Sequence, residues 1–450
     1  MNNYSSYVDS PLPWLPLIPS HWELVRNKNI FTETKDTVGS DSDKYVLLSL
    51  TLKGIIPRDV ASGKGKFPKD FDTYKVVQQG DMAFCLFDID ETPRTVGLSD
   101  YDGMLTGAYT IFHVKDVNSR YAYYYYLALD NVKAMKPLYS GLRKTINVNT
   151  FLGTKFPMPP REEQDQIVRY LDWKVSKANA LINIKKKEIK SIEALKHSSV
   201  SDAVTHGITA GVPMKYSGVK WLGDIPAHWT TIKLRQLLSP VSVKNHPELP
   251  LLSVVREQGV IVRDVDDKEA NHNYIPDDLS GYKMVKKGQF AMNKMKAWQG
   301  SYGISDYTGI VSPAYFIFDV AFENLEYFHY AIRSKVYVNF FAQASDGIRV
   351  GQWDLQMDKM KEIPFIVPPA DEQIAIVNYI KKTLPKYDEA IEKLTTEVAV
   401  LEEYKEKLIA DVVTGKVDVR NKVIPDYEFV DEEADSEEEG ESEDIEGQED

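Results

Sequence analysis

The sequence predicts a mixed α/β (α+β) protein made of two pseudo-repeated globular domains, each followed by a long helix, with the two helices packed on one another. Three observations predict it. The stretch from Arg161 to His206 returns as Asp371 to Gly415, its apolar positions in register at an offset of 209. The segments ahead of both stretches share short phrases at nearly the same offset. Within those segments, β-branched and aromatic runs alternate with Gly, Asp and Pro, the punctuation of strands and turns.

Residues 1–11 read as an irregular lead-in, and 12–158 as the first globular domain. Its opening Ile18-Pro19-Ser20-His21-Trp22 is nearly copied at Ile225-Pro226-Ala227-His228-Trp229, and Trp14-Leu15 is echoed by Trp221-Leu222. Leu47-Leu48-Ser49 parallels Leu251-Leu252-Ser253, Tyr74 to Phe84 parallels Tyr282 to Met292, and Gly141-Leu142-Arg143 parallels Gly347-Ile348-Arg349. Strands are expected at 45–50, 82–87 and 109–114, and helices at 121–131 and, in the second half, 325–341.

The first long helix occupies 159–207. Its apolar positions Val168, Leu171, Val175, Ala178, Ile182, Ile189 and Ile192 fall on Val377, Ile380, Leu384, Tyr387, Ile391, Val398 and Leu401 of the second, which Leu394 and Leu408 extend. Steps of three and four residues make a heptad seam that keeps one stripe facing a partner helix. Lys185 opposite Leu394, and Lys196 opposite Lys405, interrupt the stripe locally. Both helices are entered through Pro-Pro and then Glu-Gln, at Pro159-Pro160 with Glu163-Gln164 and at Pro368-Pro369 with Glu372-Gln373. They leave through Asp202-Ala203-Val204-Thr205 and Asp411-Val412-Val413-Thr414. At about 1.5 Å per residue, roughly 40 residues span about 60 Å. Pro385 is the exception, because proline costs about 3 kcal/mol in a helix interior. Either Thr383 caps a new helix there or the helix kinks.

A linker at 208–215 leads to the second globular domain, 216–367, and to the second long helix, 368–420. Residues 421–450 are expected to be a disordered acidic tail, since from Asp431 onward only Ala434 and Ile445 are apolar among the Asp, Glu, Ser and Gly.

A chain of 450 residues is too long for one ordinary core. No apolar run reaches the roughly 18 residues that span a bilayer, and the start lacks a signal-peptide pattern, so a cytoplasmic location without a membrane partner is expected. The net charge of −13 is uneven: residues 426–450 carry 15 of the 67 acids and no Lys or Arg, leaving 52 acids against 54 bases. Any basic surface must therefore be local.

Catalytic patterns are absent. Ser62-Gly63-Lys64-Gly65-Lys66 lacks phosphate-loop spacing, and Ser312-Pro313-Ala314-Tyr315 resembles a methyltransferase loop only faintly, without a glycine-rich cofactor-binding turn nearby. The histidines show no metal-ligand spacing, Asp88, Asp90 and Glu91 have no aligned acids in the second half, and Cys85 reads as a core residue. No cofactor or metal is expected. Nucleic-acid features are better represented. Lys64, Lys66, Lys69, Arg94, Arg143, Lys144 and Asn147 in the first half are DNA-binding candidates, as are Asn293, Lys294, Lys296, Trp298, Gln299, Arg349 and Gln352 in the second, beside Trp353. Arg, Lys, Asn and Gln hold phosphates or read base edges. Each cluster alone suits a solvated loop better than a binding site. Together they stand where the two halves differ most.

The Ile-Pro-x-His-Trp openings, Pro-Pro-x-x-Glu-Gln entries, Val-Thr-Gly-like exits and twofold duplication, over residues 12 to about 420, resemble the specificity (S) subunit of type I restriction–modification systems. The resemblance implies two target-recognition domains that each read half of a bipartite double-stranded DNA site. It also implies an antiparallel coiled coil that sets the gap and docks two methyltransferase (M) subunits, with restriction (R) subunits joining them. The subunit would not be catalytic, and S-adenosylmethionine, ATP and Mg would belong to its partners. The competing readings are a coiled-coil adaptor that binds only proteins, and a self-sufficient methyltransferase or nuclease.

Overall fold

The structure, a computed structural model, describes residues 3–58, 71–264, 275–276, 278–347 and 353–433. Its residues divide into two compact units, 1–187 with 394–450, and 188–393. The fold is α+β, as the sequence predicts, and each unit holds one of the two repeated globular domains with part of both long helices.

In the first unit a four-stranded antiparallel sheet runs in the order Phe31–Thr34, Thr110–Val114, Met82–Phe84, Val96–Leu98. Met82, Ala83 and Phe84 are all buried, because both faces of this strand are covered. Side chains alternate along a strand, so Met82, Phe84 and Phe112 point into one apolar core while Ala83 and Ile111 point into another. The larger core adds Phe31, Tyr126, Phe151 and Phe156, whose rings meet edge-on, tilted or stacked. Helix α1 (Ser119–Asn131) closes it with four buried tyrosines; Asn118 caps its start by accepting from the amides of Arg120 and Tyr121. A short α2 (Val148–Gly153) follows.

The second unit repeats this design. Its sheet order is Leu238–Val241, Tyr315–Val320, Phe290–Asn293, Tyr302–Ile304. Phe290 and Phe318 face one core, and Ala291 and Ile317 the other. Glycines recur where strands approach too closely for a side chain: a Cβ on Gly103 would strike the carbonyl oxygen of Val46, and one on Gly309 that of Pro250. The helix expected over 325–341 is two, α4 (Leu325–Ile332) and α5 (Lys335–Gln343). Ser334 takes an extended conformation between them, and the Arg333 guanidinium is turned to the carbonyls of Tyr302, Arg256 and Glu257. α6 (Met357–Lys361) precedes the last strand.

The long helices are α3 (Arg161–His206) and α7 (Ala370–Val413). Every position of the expected seam is buried or half-buried. Within the first unit Lys185 pairs with Glu397 and Lys405 donates to Asn179; within the second Lys196 pairs with Asp388 and Ser199 meets Tyr379. Rising numbers on one helix meet falling numbers on the other, so in both units the strands of this coil are antiparallel. Of the lysines that interrupt the stripe, Lys185 and Lys196 reach across it to carboxylates and Lys405 to an amide oxygen. α7 runs through Pro385 as one helix, which overturns the new helix capped by Thr383.

The tail requires a second correction. Residues 421–433 are an extended segment laid along α3, held by backbone hydrogen bonds to Ser176, Asn179 and Asn183, with Ile424 against the first core. Composition missed this because the polar partners lie on the helix, so the segment needs little apolar surface of its own. Residues 434–450 lie outside the described residues. No described helix is long and apolar enough to cross a membrane.

Candidate nucleic-acid interface

The repeated sequence phrases meet in space, and their meeting positions each globular domain on its helices. Glu163, two residues into α3, accepts from the Tyr4 hydroxyl (2.6 Å), His21 Nε2 (2.7 Å) and Trp22 Nε1 (3.0 Å). Its counterpart Glu372 on α7 accepts from His228 Nε2 and from Trp229 Nε1 (2.9 Å). The neighbouring glutamines tie the Pro-Pro turns down, Gln164 donating to the Pro159 carbonyl and Gln373 to that of Pro368. The exit glycines complete each cluster. Gly207 and Gly415 hold positive φ of 77° and 75°, where a helix C-terminus favours glycine. A Cβ on Gly207 would press on Trp229, and one on Gly415 on Pro19 and Trp22. Opening, entry and exit motifs are thus three sides of one joint, made twice. His21 and His228 serve packing and hydrogen bonding there.

On these frames the two loops that carry the DNA-binding candidates differ in chemistry. In the first unit the cations face acids of their own chain. Arg143 donates to Asp88 (2.8 Å), Lys144 pairs with Asp90 (3.1 Å), and Lys136 lies 3.8 Å from Asp90. The Lys144 ammonium holds the Asp90 carboxyl below its ordinary range. Arg94 is half-buried against Asn131 (2.7 Å) and Asp130 (3.3 Å), where Asp130 also accepts from Thr95 and Lys133. Asn147 caps α2 through the amide of Asn149. The acid cluster around Asp88 is therefore charge-balanced, and no group of three metal-ligating side chains occurs among the described residues. Burial raises the Cys85 thiol, as suits a core residue.

The second loop, 293–300, is open. Asn293 is buried and shapes the turn, its side chain accepting from the Met295 amide and donating to Tyr315. Lys294 pairs with Asp354 at 3.0 Å. Lys296 is exposed and makes no ion pair among the described residues. Beside it the Trp298 ring lies 5.1 Å from that of Trp353, the Trp298 indole N–H donates to the Met295 carbonyl, and Met295 is half exposed. Gln299 is half-buried in the same turn. The structure therefore brings Asn293, Lys294, Lys296, Trp298 and Gln299 together, and sets Arg94 and Asn147 to internal tasks. Lys64, Lys66, Lys69, Arg349 and Gln352 lie outside the described residues. An exposed cation beside an aromatic pair suits contact with a phosphate and a base edge.

Sequence reasoning did not single out Ser176, Asn179 and Asn183, which hold the 421–433 segment. Each directly follows a seam residue, Val175, Ala178 or Ile182, and that regular polar shadow beside a heptad was the available signal.

Comparison with known proteins adds the following. Residues 87–191 match the family described as the type I restriction modification DNA specificity domain. The type I restriction enzyme MjaVIII specificity subunit of Methanocaldococcus jannaschii is 25% identical over 296 residues, 61% of this chain and 65% of that protein, slightly under two thirds of its length. Among solved structures, a chain reported with the structural basis of complex assembly and conformational transition of the type I R-M system superposes with a TM-score of 0.57 at 13% identity. The superposition covers 89% of this chain and 99% of that one, and it shows a shared fold. The HsdS subunit from Thermoanaerobacter tengcongensis gives a TM-score of 0.40 at 13% identity, over 89% and 98% of the two chains.

Proposed function

We propose that the chain is a type I restriction–modification specificity subunit, the DNA-reading, non-catalytic member of such a complex, each domain taking one half of a bipartite site. The observation that carries this reading is one scaffold made twice on an antiparallel helix pair, with loops of different chemistry. An antiparallel pair relates its two ends by approximate twofold symmetry, and a pseudo-dimer meets half-sites at a spacing its own length sets. Unequal loops make the half-sites unequal. The helix pair also offers docking surface for two methyltransferase subunits, with restriction subunits joining them. Methyl transfer and ATP-driven cleavage, with S-adenosylmethionine, ATP and Mg, fall to those partners, in the cytoplasm where the DNA is.

The test is selection from a labelled genomic fragment pool by the complex with methyltransferase subunits. Enrichment of a split motif is expected. Salt-sensitive binding without any motif would sink the reading, since phosphate contacts alone carry no sequence information, and would favour a protein adaptor. Inserting one heptad into both α3 and α7 is expected to lengthen the gap and leave both half-sites unchanged; an unchanged gap would refute the helices as ruler.

A further inference from the structure

The first unit contains a row of side chains on α3 that reads peptide backbone. Ser176 Oγ donates to the Glu428 carbonyl (3.0 Å) and accepts from the Val430 amide (2.9 Å). Asn183 repeats the pattern one step along, its Nδ2 donating to the Asp431 carbonyl (2.9 Å) and its Oδ1 accepting from the Glu433 amide (2.9 Å). Between them Asn179 Nδ2 donates to the Val430 carbonyl (3.1 Å) and its Oδ1 accepts from Lys405 Nζ. At the start of the row Gln166 donates to the carbonyls of Val419 (3.0 Å) and Lys422 (2.8 Å). Each of Ser176 and Asn183 thus addresses a carbonyl and the amide two residues on, as the edge of a sheet addresses an added strand.

None of these contacts depends on the identity of a tail side chain. Ser176, Asn179 and Asn183 are 3%, 5% and 5% exposed with the segment in place, so it covers their polar groups as it satisfies them. Beyond it, charge takes over: Glu432 pairs with Lys186 (3.2 Å) and Lys405, and Glu433 with Lys187 (2.7 Å). Side chains contribute further where Phe429 lies under the Arg120 guanidinium, 5.3 Å from its ring centre, and where Ile424 packs against the first core.

We propose that this face of α3 is a binding site for an extended peptide ending in acidic residues, and that the chain's own residues 423–433 occupy it as a resident, displaceable ligand. A row that recognises backbone binds any extended segment able to place acids at Lys186, Lys187 and Lys405. A segment tethered in cis has an effective concentration in the millimolar range, so it holds the site against free peptides until it is weakened. A partner protein that carries a tighter segment of the same chemistry exchanges with it, and the tail is then released. The proposal does not depend on DNA recognition.

Proline at positions 430 and 433 removes the two amide donors from the tail and leaves α3 untouched. The experiment uses full-length wild type and the full-length Val430→Pro/Glu433→Pro variant, with a fluorescent peptide of residues 423–433 and a scrambled peptide of the same composition, read by anisotropy. The expected result is binding of the native-order peptide to the variant at least tenfold tighter than to wild type, and binding of the scrambled peptide at least tenfold weaker. Adding Asn179→Leu and Asn183→Leu to the variant is expected to abolish the binding. Equal binding to wild type and variant would overturn occupancy in cis. Equal binding of the scrambled peptide would reduce the site to a charge patch. Absence of binding to a variant whose melting curve matches wild type would overturn the site itself.

Discussion

Glu163 in the first unit is buried and accepts three hydrogen bonds, whereas Glu372, at the same place in the second unit, accepts two and leaves a third of its side chain exposed. The extra donor is Tyr4. The first unit also holds the 421–433 segment, so it gathers both ends of the chain, while the second unit is one continuous stretch. At the positions matching Ser176, Asn179 and Asn183 the second helix carries Pro385, Asp388 and Glu392. Neither carboxylate can donate to a carbonyl, and proline offers nothing. Duplication therefore preserves the scaffold, and the chain ends make the copies unequal.

The largest expected effect breaks that inequality at its joint. Glu163→Ala strands three donors inside the protein and is expected to cost the first unit about 3–5 kcal/mol. Glu372→Ala, at a side chain one third open to water, is expected to cost the second about 1–2 kcal/mol. Hydrogen exchange in urea, followed separately for peptides from 161–187 and 370–393, measures both. Equal losses would show that the Tyr4 bond has no weight.

A second difference is sensitivity to acid. His329, on α4, is held down by burial, with Arg333 adding to the effect, from the ordinary 6.5 to about 4. Its Nδ1 accepts from the Ile304 amide at 3.2 Å, a bond that only the neutral ring can accept. The matching position on α1 is Tyr123, which burial keeps un-ionised. Because the folded pKa is depressed, the stabilisation is complete above pH 6.5 and is lost as pH falls from there towards 4. The second unit is expected to lose on the order of 3 kcal/mol over that range and the first to lack this contribution. His329→Gln should flatten the profile of the second unit; a profile unchanged by that substitution would remove His329 as its source.

The periodic features were legible in the sequence. Heptad steps place Leu171, Ile182 and Ile380 in the seam, and alternation places Phe84 and Ala83 in separate cores. The Pro-Pro, His-Trp and Val-Thr-Gly phrases announced a repeated joint without revealing that they touch, because contacts across 140 residues leave no periodic trace. The surroundings of the candidate DNA-contact residues were not legible. Residue type marked Arg94 and Lys296 alike, yet Arg94 is engaged by Asp130 and Asn131, partners the fold brings from 36 and 37 positions away. The docked 421–433 segment was hidden for the same reason.

A smaller effect concerns DNA and separates the two loops. Lys296→Ala removes a cation that makes no ion pair among the described residues. It is expected to weaken binding by about 1 kcal/mol and lower the slope of log K against log salt by about 1. Arg143→Ala also releases Asp88, so its salt slope should change less than that of Lys296→Ala. The reverse order would mean that Arg143 leaves Asp88 for a phosphate when DNA binds.

The smallest effect is on the helix pair itself. Pro385 is exposed within α7 and lacks the amide that would donate one turn back, so Pro385→Ala restores a backbone hydrogen bond. Proline also restricts the unfolded chain, worth roughly 0.4–1 kcal/mol in the opposite sense. Relief of the helix defect outweighs that loss, and the substitution is expected to stabilise the second unit by about 1 kcal/mol, read as a shift in the urea midpoint. The matching change in the first unit, Ser176→Pro, introduces the same defect and removes a tail contact, so its sign is opposite. If Pro385→Ala destabilised instead, the proline would have to be supporting a bend on which the packing of α7 against the second half of α3 depends.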